Sequence, residues 1–298
     1  MGLTFGIRYL SHLDGYLSES EAIFRPTVTE PISRIDGEWT RNMNHGTLAK
    51  IIAGGKYDDD SGTLMLGIAK DANVFELDRA PSDPTRLESQ YYANRFDFIN
   101  LSYTYFPGPG STLSVMGNRY RSMDQSGTYP NGHLPVYVVA AGNMNGVSAT
   151  YQDIARRTSY NSNYYSTEMA LSSASFDGRS FSDYVLIAGG VVRTGETTYT
   201  PAGNMPGEVT ELQNRWLVAP FEFQTEFFAT RDNIVRGTSF AAPYITGIAA
   251  VVNSKFPELP PADVAGILLN TARDLGTPGT DAIYGRGMVD LANALSPQ

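Results

Sequence analysis

Hydrophobic and polar positions along the chain form short apolar runs that alternate with longer segments of helical spacing. Residues 3–7, 72–77, 96–101, 135–140 and 184–188 are brief, apolar and closed by turn residues, which predicts strands buried on both faces of a sheet. Residues 46–53, 86–94, 239–252 and 261–271 carry helical spacing or composition. The alternation predicts an α/β fold: a doubly wound, mostly parallel central sheet flanked by helices. Two segments lack regular pattern, 106–133 and 151–178, and each comes soon after an expected strand. In an open α/β sheet ligands bind beyond the carboxyl ends of the strands, so these loops are expected to border a site. No repeat or linker divides the chain, and residues 1–298 read as a single domain.

Composition narrows the classes of function. The 298 residues are 42% hydrophobic, enough for one large core. Lys plus Arg is 22 against 31 for Asp plus Glu, a net charge of −9 without basic runs. That argues against nucleic acid or an anionic membrane as partner. The absence of cysteine excludes disulfides, thiolate metal sites and a thiol nucleophile. No stretch approaches 18 consecutive apolar residues, so no transmembrane segment is expected. The first seven residues lack the basic and apolar regions of an export signal. A mature or excised piece of an exported protein is expected, or else a cytoplasmic one.

Three segments carry chemistry. Gly237-Thr238-Ser239-Phe240-Ala241-Ala242-Pro243 opens a long apolar helix and sets Ser239 at its N-terminus, where unpaired N–H groups favour negative charge. A serine there is otherwise an ordinary N-cap. Asn44-His45-Gly46-Thr47-Leu48-Ala49 sets His45 at the start of another helix. An imidazole of ordinary pKa is the natural base for a hydroxyl nucleophile, although a lone His here is usually structural. Val138-Val139-Ala140-Ala141-Gly142-Asn143 is a buried strand ending in a pair that commonly makes a turn.

Together these segments resemble the nucleophile, histidine and oxyanion motifs of the subtilases, the subtilisin-like serine proteases. The order His45, Asn143, Ser239 agrees with the Asp, His, Ser order of subtilisin-type triads. Ile99-Asn100-Leu101-Ser102 resembles the family's substrate-binding strand, with Tyr103-Thr104 in place of Leu-Gly. Gly67-Ile68-Ala69 with Val74-Phe75, and Tyr284-Gly285-Arg286-Gly287-Met288-Val289-Asp290, match further family segments. Arg215-Trp216-Leu217-Val218-Ala219-Pro220 and the C-terminal third are nearest to the subtilase passenger domains of bacterial autotransporters. The resemblance implies a serine endopeptidase with Ser239 as nucleophile, His45 as base and Asn143 as oxyanion donor. Ser102, Tyr103 and Thr104 would bind a polypeptide substrate, and Tyr103 and Thr104 would make the pocket for the residue before the scissile bond narrower or more polar. The family needs no cofactor for its chemistry, and the implied location is secreted or at the cell surface.

The triad's carboxylate departs from the pattern. In the family it comes after the first strand, but Tyr9 occupies that register here. Asp14, in Leu13-Asp14-Gly15, stands 45 − 14 = 31 residues before His45, and two readings remain open. Either Asp14 completes the triad, or no Asp does and the chain is a catalytically impaired peptide-binding module. Asp36 stands too close to His45 in sequence. Asp58-Asp59-Asp60-Ser61-Gly62 reads as a solvated loop rather than a calcium site, because three successive acids rarely face one ion. The tyrosines between 151 and 165 suit surface and packing roles as well as substrate, and His12 and His133 read as structural.

Overall fold

The computed structural model describes residues 4–8, 34–35, 38–39, 45–54, 56–58, 64–69, 72–77, 96–102, 134–151, 169–171, 175–176, 178–224 and 234–297. The main sheet has seven strands: β1 (Thr4–Arg8), β2 (Asn73–Leu77), β3 (Phe98–Leu101), β4 (Val136–Ala140), β5 (Val185–Arg193), β6 (Tyr199–Ala202) and β7 (Trp216–Pro220). Their order is β6-β5-β4-β3-β1-β2, with β7 also paired to β5. The pairings β3 with β4, β4 with β5 and β5 with β7 are all parallel. Their carboxyl ends therefore share one edge. Three helices lie against the sheet: α1 (His45–Gly54), α2 (Thr238–Lys255) and α3 (Pro261–Asn270).

The period-two alternation of strand side chains divides the interior into two cores. Val136, Val138, Ala140, Leu186, Ala188, Leu217 and Ala219 face one side, where they meet residues of α1, α2 and α3. Tyr137, Val139, Val185, Ile187, Trp216 and Val218 face the other. There they meet Met169 and Ala170, Phe181 and Tyr184 of a 3₁₀ turn, and Val209 and Leu212 around a short helix. A sheet covered on both faces needs apolar residues at nearly every strand position. Val136–Ala140 is buried throughout.

The strands expected at 72–77, 96–101, 135–140 and 184–188, and the helices expected at 46–53, 239–252 and 261–271, are present with small shifts of boundary. The helix expected at 86–94 lies outside the described residues. The pattern missed β6, which contains Pro201, and β7. The first strand is also present, but it runs antiparallel to both neighbours, with Thr4 opposite Leu101 and Ile7 opposite Phe98. A five-residue apolar run has the same pattern read in either direction, so its polarity was not legible. The chain leaves β1 beside the amino end of β3, at the edge opposite Ser102.

Helix α2 is apolar on nearly its whole circumference, as a helix enclosed by its neighbours must be. It packs against α1 at Gly247, where a Cβ would meet the Ala53 carbonyl oxygen and lie 2.8 Å from the Ile68 Cβ. Glycine there lets the two helices approach backbone to backbone. This packing is expected to make Gly247→Ala destabilising by about 1–3 kcal/mol through overpacking. A urea titration should show a lower midpoint with an unchanged slope, because the exposed surface on unfolding stays the same.

Candidate active site

The site is built where α1 and α2 both begin, at the edge formed by the ends of β3 and β4. Ser239 is the second residue of α2 and is half-buried. Gly237 precedes the helix with φ 152°, a conformation that L side chains rarely adopt. Its N–H donates to the Phe221 carbonyl at 2.9 Å, which anchors the turn to the end of β7. The chain therefore enters α2 sharply, with the helix's first N–H groups and dipole at Ser239.

Thr238, fully buried, joins this turn to the loop after β4. Its Oγ1 accepts from the Gly142 N–H at 3.0 Å and donates to Asn143 Oδ1 at 3.0 Å. Its backbone N–H donates to the same Oδ1 at 2.9 Å. A backbone N–H can only donate, so the atom it meets must be the amide oxygen of Asn143. That fixes the amide's orientation, with Nδ2 the amide atom nearest Gly237 and Asn143 itself exposed. The loop is held from beneath as well. Asn204, buried, accepts from the Met144 N–H through Oδ1 at 2.8 Å, and its own N–H donates to the Gly142 carbonyl at 3.0 Å. Asn143 thus holds its amide N–H₂ in a fixed orientation beside the turn that bears Ser239.

His45 is the first residue of α1. Its ring lies 5.0 Å, centroid to centroid, from the ring of Phe240, the residue after Ser239. Phe240 contacts Phe223 edge-on at 6.4 Å, and Phe223 meets Tyr244 at 6.1 Å. With Leu48, Ile52 and Val235 these side chains form a small separate core between the starts of α1 and α2. The role of its aromatic members escaped sequence reasoning, because Phe240 and Tyr244 on the helix and Phe223 on a short strand read as ordinary core. Burial pushes the His45 imidazolium below its ordinary pKa of 6.5. Its Nδ1 is buried without a hydrogen-bond partner among the described residues.

The structure thus brings Ser239, His45, Asn143 and Ser102 to one edge. Ser102 turns its hydroxyl inward, onto the Ser239 carbonyl at 2.7 Å. Asp14, Tyr103, Thr104, Tyr9, Asp36, His12 and His133 lie outside the described residues, as do Asp59 and Asp60. Tyr151 is exposed, and its hydroxyl donates to Glu211 at 2.9 Å. Among the described residues no cluster of three His, Asp or Glu side chains could hold a metal ion, and no helix is long and apolar enough to cross a membrane.

A model of the subtilase family, peptidase S8, matches residues 27–287. The chain belongs to the subtilase family. Over 121 residues, this subtilase is 33% identical to the autotransporter lipoprotein NalP of Neisseria meningitidis, a match covering 38% of the chain and 11% of NalP. Over 60 residues it is 42% identical to an extracellular serine protease of Serratia marcescens, covering 20% of the chain and 6% of that protein. The chain thus spans about a tenth or less of these relatives. Its fold is also that of MycP1 with the N-terminal propeptide removed, at a TM-score of 0.53 and 21% identity over 85% of this chain and 80% of that one. The prenylagaramide maturation protease PagA matches at 0.50 and 19%, over 84% and 80%. These two likenesses bear on fold alone.

Because Thr238 locks the amide, the two residues are expected to act as one unit in catalysis. Asn143→Ala is expected to lower kcat by about 10²–10³, the loss seen when one such donor is removed in subtilisin. Thr238→Val removes one hydrogen bond to the amide and is expected to cost about tenfold. The two should be non-additive, because Thr238 acts through Asn143. Steady-state kinetics on both variants and their combination measures this. Additive losses would separate Thr238 from the amide.

Proposed function

We propose that this subtilase is a serine endopeptidase acting through an acyl-enzyme on Ser239. The observation that carries the reading is the Asn143 amide, locked by Thr238 with its amino group over Gly237, beside the helix start that bears Ser239. In the reaction Ser239 Oγ attacks the peptide carbonyl while His45 Nε2 takes its proton. The developing oxyanion is met by Asn143 Nδ2 and the Ser239 N–H. His45 then protonates the leaving amine, and water, deprotonated by the same imidazole, releases the acyl group. The substrate is a polypeptide, for which Ser102, Tyr103 and Thr104 are the proposed binding residues, the last two making the adjoining pocket narrower or more polar. A secreted or cell-surface location accords with relatives named as an autotransporter and an extracellular protease.

Asp14 is the carboxylate of this proposal. A buried ring nitrogen demands a partner, and His45 Nδ1 has none among the described residues. The antiparallel course of β1 does not forbid Asp14. The six residues from Arg8 to Asp14 span at most about 20 Å extended, against about 13 Å for the four residues of β3.

Ser239 is expected to take a fluorophosphonate covalently at neutral pH, read by mass spectrometry with Ser239→Ala as the control. An unlabelled Ser239 would favour a peptide-binding module instead. Asp14→Asn is expected to lower kcat by about 10⁴. It should also lower the His45 pKa, because a carboxylate on Nδ1 opposes the effect of burial. The acid limb of the rate profile would then move to lower pH, since His45 must be neutral to act as base. An unmoved limb and a kcat within a few-fold of the parent would remove Asp14 from the triad.

A further inference from the structure

Helix α2 has a gap in its own hydrogen bonding at the nucleophile. In a regular α-helix the carbonyl of Ser239 accepts from the N–H four residues on. That residue is Pro243, inside the helix, which has no N–H. The structure fills the gap from another element. Ser102 Oγ, just beyond β3 and 2% exposed, donates to the Ser239 carbonyl at 2.7 Å. A carbonyl oxygen only accepts, so the single hydroxyl hydrogen of Ser102 is committed to it. Asn100, fully buried within β3, donates Nδ2 to Ser102 Oγ at 2.7 Å and so orients that hydroxyl.

This arrangement carries a cost that stability does not explain. Asn100 Oδ1 is buried without a partner among the described residues. An apolar side chain of similar shape would avoid an unsatisfied acceptor in the core. The relay's effect is instead positional: it couples the backbone of the nucleophile to the strand that, in the function proposed above, receives the substrate. We propose that Asn100 and Ser102 are positioning residues, whose relay replaces the helix hydrogen bond removed by Pro243 and sets the Ser239 backbone for attack. The inference rests on the endopeptidase reading for its kinetic consequences, but not for its structural ones.

The test uses the full chain and its variants. Ser102→Ala is expected to lower kcat about 10- to 100-fold, the scale of a small misplacement of a reacting group, with KM within about twofold. Adding Pro243→Ala restores an N–H four residues after Ser239, and Ser102→Ala/Pro243→Ala is expected to recover several-fold in kcat over Ser102→Ala. Asn100→Leu should keep Tm at or above the parent's while kcat falls. A loss confined to KM would assign Ser102 to substrate contact and overturn the proposal. So would no recovery in the double variant, or an Asn100→Leu that loses Tm with its kcat intact. If the parent itself cleaves no peptide and takes no fluorophosphonate, the endopeptidase reading fails separately. The relay is then judged by the Ser239 carbonyl ¹³C resonance, which should move upfield in Ser102→Ala. A resonance that stays in place overturns it.

Discussion

The site depends on how helix α2 begins. An 18-residue apolar helix enclosed by sheet and neighbouring helices has little freedom to slide, but its first turn must still be held against the strand ends. Thr238 does this with three hydrogen bonds made by one buried residue, two of them to a single oxygen of Asn143. Remove that junction and the loop after β4, the Asn143 amide and the turn that bears Ser239 lose their shared reference. Hydrogen bonds of this kind are individually modest in net stability. Their directionality is what matters here.

Packing supplies the frame in which those bonds can be specific. The two cores on either side of the sheet fix where the parallel strands end. The close approach of α1 and α2 at Gly247 then brings His45 to the same edge as Ser239. The aromatic cluster of Phe240, Phe223 and Tyr244 fills the wedge between the two helix starts. It also removes water from one side of the imidazole, which is why burial lowers the His45 pKa. Packing and protonation are thus one construction: the side chains that hold the helices together also set the medium around the His45 imidazole.

Much of this was legible along the chain. The apolar runs that became β3, β4 and β5, and the helical segments that became α1, α2 and α3, carried their type in their periodicity. Ser239, His45 and Asn143 stood in motifs specific enough to place each beside the start of a helix or the end of a strand. What was not legible depends on partners far apart in sequence. Ser102 and Ser239 are 137 residues apart, and nothing in either segment announces that a hydroxyl will fill the gap left by Pro243. The strands β6 and β7 were missed because each contains a proline, Pro201 and Pro220, which weakens the strand signal until pairing with β5 overrides it.

By itself the sequence determined the class of fold, the two-sided burial of the sheet and the motifs that carry Ser239, His45 and Asn143. These come from local pattern and from residue chemistry, which travel with the chain. Only the tertiary structure decided the direction of β1, the orientation of the Asn143 amide, the orphaned His45 Nδ1 and the inward turn of Ser102. Each is a relation between groups that meet only after folding. Hydrophobic pattern says which face of an element is buried, but not which way a short strand runs. A residue's type says what it can donate or accept, but not which partner geometry will hold it.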